Sequence, residues 1–190
     1  MSIEEEPRST KAREPNDVWH VDLTAVPTAA RFWVPWFPFA KLQRWPFAWW
    51  VAVAVDHASR LVVGLAVFNH RPNSAEVTSF LERAIERVKA APGTIITDKG
   101  VEFGWAFRSW GRRRGIRQRR GAVGEHGSIA IAERFIRSIK SECTRRILVP
   151  FRLSEMRDEL RCYATWFNEH RPHEALRGRT RCSWPRLRGT

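Results

Sequence analysis

Sulfur, tyrosine and aspartate are scarce in this chain of 190 residues, and each scarcity excludes something. The three cysteines, Cys143, Cys162 and Cys182, are odd in number, widely spaced and free of any CxxC pair. That excludes a disulfide framework or cysteine-rich zinc site and fits the reduced thiols of a cytoplasmic protein. Long apolar runs are missing too: the longest uncharged stretch, around residues 45–55, falls short of the roughly 20 residues a membrane span needs. No signal peptide is evident, so no membrane partner is expected. Acid is outnumbered by base, 20 residues against 33, giving a net charge of +13 and a pI near 11.1. Such a balance calls for an anionic partner, and clustered arginine points to nucleic acid. With 43% hydrophobic residues, the chain can build the core of one compact domain.

Pattern along the chain supports a mixed α/β organisation. Residues 1–16 are charged, carry Pro7 and Pro15 and lack apolar periodicity, which reads as a flexible leader. From Val18, apolar Trp19, Val21 and Leu23 alternate with His20, Asp22 and Thr24, the period of a strand with two unlike faces. Runs at 51–55 and 61–68 flank Asp56 and read as a hairpin, with Asp56 in its turn. Ser74 is the expected cap of a helix whose stripe is Val77, Leu81, Ala84, Ile85 and Val88, and Pro92-Gly93 its expected end. A buried strand at 94–97, a helix near 105–114, a short strand around 116–119 and two further helices complete the set. In the first of those helices Ala132, Phe135, Ile136, Ile139 and Cys143 form the buried stripe, while Glu133, Arg137, Lys140 and Thr144 share an adjoining one. The last helix, about 154–168, buries Met156, Leu160, Tyr163, Ala164 and Phe167.

Only five aspartates occur, at 17, 22, 56, 98 and 158. Two of them sit in contexts that deliver a carboxylate to a site: WHVDLT around Asp22 and IITDKGVEF around Asp98, each on a strand. In IAERFIRSIKSE a helix presents Glu133 beside Arg137 and Lys140. Three such carboxylates suit Mg²⁺ or Mn²⁺, which prefer oxygen ligands. Between the second and third lies the densest run of positive charge, Arg112, Arg113, Arg114, Arg117, Arg119 and Arg120, read as a phosphate-contacting surface. A glycine-rich segment, GAVGEHGS at 121–128, follows it.

These segments, taken with WFNEHRPHEAL at 166–176, resemble the catalytic core of the retroviral-integrase and transposase superfamily, bacterial insertion-sequence transposases above all. The likeness covers residues 16–178, in the family's order. It implies an RNase H-like α/β fold, a five-stranded mixed sheet with helices on both faces. It also implies that Asp22, Asp98 and Glu133 are catalytic and hold two Mg²⁺ or Mn²⁺ ions for cleavage and strand transfer of DNA. Lys99 and Glu102 match the pattern after the second aspartate, Lys99 as a DNA contact and Glu102 as a loop-fixing group. His126 takes a position where relatives carry a polar DNA contact, and Asn168, Arg171, Pro172 and His173 match the terminal motif that fastens the last helix. The expected partners are transposon ends and target DNA, a second copy of the chain, and a separate end-recognition subunit where the chain itself does not read the ends. The expected setting is a bacterial cytoplasm, at the nucleoid.

The expected organisation is a leader at 1–16, a catalytic core at 17–178 and a basic tail at 179–190. Residues 27–50, with interleaved aromatics and prolines, read as an insertion: a flap on the sheet, a subunit interface or a base-stacking surface. Two rival readings stay open, an RNase H-like nuclease that only hydrolyses and a non-catalytic DNA-binding remnant.

Overall fold

The structure, a computed structural model, describes residues 12, 14–28, 44, 47–121, 130–144 and 149–171. Its elements are β1 (Val18–Pro27), β2 (Ala48–Asp56), β3 (Val62–Phe68), α1 (Ser74–Val88), β4 (Thr94–Thr97), α2 (Trp105–Arg113), β5 (Arg117–Arg120), α3 (Ala130–Ser138) and α4 (Leu153–Glu169). A 3-10 turn, Val101–Phe103, precedes α2, and α3 runs on as a π-helical stretch, Ile139–Thr144. The five strands lie in the order β3-β2-β1-β4-β5; β1, β2 and β3 are antiparallel neighbours, whereas β4 and β5 run parallel to β1.

Every residue of β2 is buried, because both faces of the sheet are covered. On one face Val26, Trp49, Val51, Val53 and Val55 pack with Phe135, Ile139, Met156, Leu160 and Phe167 from α3, its π-helical extension and α4. On the other, Trp19, Val21, Ala52 and Ala54 pack with Val77, Phe80 and Leu81 of α1 and Phe107 and Trp110 of α2. Each fully buried large apolar side chain contributes about 1.5–3 kcal/mol. Gly64 lets α1 approach closely, since a Cβ there would meet two Phe80 ring carbons at 2.9 Å. The outer edge of the sheet at β3 is covered by side chains: Arg87 donates to the Val63 carbonyl, Arg157 to the Val67 carbonyl at 3.3 Å, and Asn168 bonds both the N–H and the C=O of Val62.

Several expectations move. Asn73, not Ser74, caps α1: its side chain accepts from the Glu76 N–H at 3.0 Å while Glu76 accepts from the Asn73 N–H, a reciprocal capping box. The helix ends at Val88 with Lys89 in the left-handed conformation, before Pro92-Gly93 is reached. The last strand is displaced by one residue, to Arg117–Arg120. Within the supposed insertion, Ala48, Trp49 and Trp50 belong to β2, paired with Pro27, Val26 and Ala25. The apolar alternation that seats Trp49 in the core, its indole N–H donating to the Pro150 carbonyl at 2.7 Å, outweighs the composition of the segment. Trp33 and Trp36 lie outside the described residues. Near the other end of the leader, Asn16 is fastened: its N–H donates to Asp56 and its side chain accepts from the Trp19 indole at 3.0 Å.

Candidate active site

Parallel pairing of β1 with β4 brings the two aspartates together. The register matches Val18 with Thr94, Trp19 with Ile95 and His20 with Ile96; β4 ends at Thr97, one residue before Asp98, whose charge is close enough to act on Asp22. Period-two alternation puts Asp22 on the α3 side of the sheet, opposite Trp19. There Asp22 and Glu133 line a cavity of about 340 Å³ with Thr24, Ile136, Arg137, Lys140 and Ser141. The expected stripe on this helix therefore holds for Glu133, Arg137 and Lys140 but fails at Thr144, which is buried. The π-helical stretch, with its i→i+5 bonding, alters the turn after Ser138 and brings Ser141 to the cavity instead.

Burial raises the Asp22 pKa to about 6; the Leu23 N–H pulls it down, the charges of Asp98 and Glu133 push it up, and Lys140 lowers it again. Asp22 thus feels the charges of both Asp98 and Glu133. Among the described residues, however, no three histidine, cysteine, aspartate or glutamate side chains stand close enough to hold a metal ion as they are. Each aspartate has one oxygen engaged locally: Asp22 Oδ1 accepts from the Leu23 N–H at 2.7 Å and Asp98 Oδ1 from the Gly100 N–H at 3.0 Å. In donor chemistry the set fits a hard divalent cation, being all carboxylate oxygen, with mutual repulsion that positive charge would relieve.

The loop after Asp98 is held from beneath. Glu102 is buried, its carboxylate accepting from Arg71 at 3.0 Å and its carbonyl from the Ser74 hydroxyl at 2.7 Å. A Cβ on Gly100 would lie 2.4 Å from Glu102 Oε1 and 3.0 Å from Asp98 Oδ1, so glycine lets both carboxylates close on the loop. Arg71, whose guanidinium also lies over the Trp50 ring at 5.2 Å, escaped the sequence reading because nothing local marks a partner 31 residues away. Asp56 is buried in its turn, accepting from the Ser59 N–H and hydroxyl at 2.7 and 2.6 Å.

The basic residues divide. Arg137 and Lys140 share the cavity with Asp22, and Lys99 is exposed beside Asp98. Arg112, Arg113, Arg117, Arg119 and Arg120 are exposed, three of them on β5. Arg114 is committed elsewhere, forked onto Glu82 of α1, which also accepts from the Trp110 indole. Of the terminal motif, Asn168 fastens α4 to β3 and Arg171 pairs with Glu142, which also accepts from the Tyr163 hydroxyl at 2.8 Å. Burial and the Glu142 carboxylate push the Tyr163 phenol upward. His126, Pro172 and His173 lie outside the described residues.

A three-stranded antiparallel meander whose first strand is extended by two parallel strands, with helices on both faces, is the architecture of the RNase H-like polynucleotidyl transferases. Among solved structures, the HTLV-2 integrase catalytic core domain in complex with magnesium, in its dimeric form, matches with a TM-score of 0.64 at 19% identity, covering 90% of this chain and 97% of that one. The BIV integrase catalytic core domain matches with a TM-score of 0.59 at 16% identity, covering 89% and 93%. A chain of the simian T-cell lymphotropic virus intasome in complex with PP2A regulatory subunit B56 gamma gives 0.66 at 21%, covering 94% of this chain and 58% of that one. Comparison with curated proteins gives no match. By sequence, an integrase core domain family matches residues 12–126 and a second model of the integrase core domain matches 114–180. The chain belongs to the integrase core domain family, the DNA-recombining transposases and integrases.

Proposed function

We propose that the chain cuts and joins DNA strands at Asp22, Asp98 and Glu133. Phosphodiester hydrolysis frees a 3′-hydroxyl, whose oxygen then attacks a phosphorus in target DNA and displaces that strand's own 3′-oxygen. The observation that carries this reading is the cavity that Asp22 and Glu133 share with Arg137 and Lys140, with Asp98 near enough for its charge to raise the Asp22 pKa, an acidic focus on a strongly basic protein. The carboxylates would hold two Mg²⁺ or Mn²⁺ ions, which supply activation of the attacking oxygen and neutralisation of the leaving one. The protein's own contribution is orientation: neighbouring strands β1 and β4 lead to the two aspartates, Glu102 and Arg71 hold the loop, and Arg137 and Lys140 attract the phosphate. Lys99, His126 and Arg112, Arg113, Arg117, Arg119 and Arg120 extend the DNA contact in this reading, with Arg114 serving the α1 contact instead.

Transposon ends and target DNA are the substrates, and bringing two ends together requires a homo-oligomer. A separate subunit would recognise the ends. The site of action is the bacterial cytoplasm at the nucleoid; among the described residues, no helix is long and apolar enough to cross a membrane. The domain reading is a core at 17–178 between a leader and a basic tail.

The test is a strand-transfer assay with Mg²⁺ or Mn²⁺ and DNA bearing the element's ends. Wild type should give joined products, while Asp22→Asn, Asp98→Asn and Glu133→Gln should each give neither cleavage nor joining yet bind DNA as before. Cleavage without joined product would make the chain a nuclease, and full activity in any one variant would remove that residue from the site.

A further inference from the structure

A second cleft, about 850 Å³, opens between α2 and the edge strand β5. Helical spacing places Trp105, Arg108 and Arg112 on one face of α2, and strand alternation places Arg117 and Arg119 together at the sheet's edge, on the face of β5 opposite Gln118. All five line the cleft together with Ile116, and among the described residues no acidic one lines it. Its walls are fixed: the Gln118 side-chain amide donates to the Phe107 carbonyl at 2.9 Å. Gly111 permits that approach, since a Cβ there would lie 2.0 Å from Gln118 Nε2.

Trp105 is 71% exposed. A single exposed tryptophan needs no explanation by itself; one set among four guanidiniums in a concave site does. Guanidiniums bind phosphate through paired N–H groups, and an indole offers a flat apolar face to another ring. Their combination matches a nucleotide. In a duplex the bases are stacked on one another and present no face to a side chain, so the matching nucleotide is an unpaired one. An acidic peptide would satisfy the guanidiniums but has no use for the indole.

We propose that this cleft holds an unpaired flank of a DNA strand, one base stacked on Trp105 and the adjoining phosphates held by Arg108, Arg112, Arg117 and Arg119. This rests on the reading that the chain acts on DNA. Trp105 opens α2 just after the loop that carries Asp98, so a strand reaching the carboxylates can continue into the cleft.

The test is equilibrium binding of the full chain, in EDTA so that no chemistry occurs, to a labelled single strand, the same strand with abasic positions, and a duplex of equal length. Trp105→Ala should weaken single-strand binding about 5- to 150-fold and duplex binding less than about twofold, while Trp105→Phe should retain most of the affinity. Abasic substitution should bring wild type down to the level of the alanine variant, an arm that needs no mutant to fold. Arg117→Gln should lower the salt slope for the single strand by about 0.7. Equal losses on strand and duplex, no loss on either, or a wild-type affinity indifferent to missing bases would overturn the proposal. So would a poly-glutamate peptide whose binding depends on Trp105 as strongly. Failure here with strand transfer intact leaves the carboxylate reading standing; failed strand transfer with this pattern intact leaves the cleft standing.

Discussion

Removing the Arg71 guanidinium should unsettle the loop that carries Asp98, by an amount the structure sets. Glu102 is 3% exposed and its carboxylate takes Arg71 Nη2 at 3.0 Å, whereas the Arg71 side chain is 49% exposed. Breaking a fully buried ion pair from one side costs about 3–5 kcal/mol, mostly for the charge left behind. Because water already reaches Arg71 and can enter to solvate Glu102 in the variant, Arg71→Ala should cost about 2 kcal/mol. For a chain of this size that is about 4–8 °C in Tm. Glu102→Gln keeps the shape and the Ser74 contact to the Glu102 carbonyl and leaves the solvated arginine unharmed, so it should cost less. In the Glu102→Gln background, Arg71→Ala should then cost under about 0.5 kcal/mol. Urea unfolding of the four proteins, with m-values unchanged, gives the cycle directly. Additive losses would show that Arg71 acts through its Trp50 contact and not through Glu102.

Neutralising Arg112, Arg117, Arg119 and Arg120 to glutamine should flatten the salt dependence of duplex binding by about 0.9 for each phosphate left unneutralised; an unchanged slope would make the run a solvated face. Gly64→Val should cost about 1–3 kcal/mol through overpacking against Phe80, read as a lower urea midpoint. Burial, then the charge of Glu159, raise the Cys143 pKa to about 11, so at pH 8 only about a thousandth of it is thiolate. Its thiolate fraction should grow about tenfold per pH unit up to about 11. In a Cys182→Ser background, iodoacetamide at pH 8 should therefore modify the exposed Cys162 in native protein and Cys143 only after unfolding, as peptide mass spectrometry would show.

What could be read from the sequence was whatever has a short period. Alternation at Trp19–Leu23 foretold the face of Asp22, and the 3.6-residue stripe through Ala132, Phe135, Ile136 and Ile139 foretold the buried side of α3. The α1 cap was misread by one residue, although Asn73 and Glu76 spell the box, because two adjacent residues can both cap. What lay hidden was long-range or cooperative. Asn168 finds Val62 across 106 residues, and Arg71 finds Glu102 across 31, with no local pattern to announce either. The π-helical slip after Ser138 depends on packing, so its exchange of Thr144 for Ser141 at the cavity could not be counted off in steps of 100°.

The two margins of the sheet are guarded in different ways. At β3 the outward carbonyls of Val62, Val63 and Val67 are already taken by Asn168, Arg87 and Arg157. At β5 the sequence RQRR would set guanidinium against guanidinium if two such margins met. Among the described residues, both margins therefore oppose pairing with a like strand of a second copy, the commonest route from a bare sheet to fibrous aggregation.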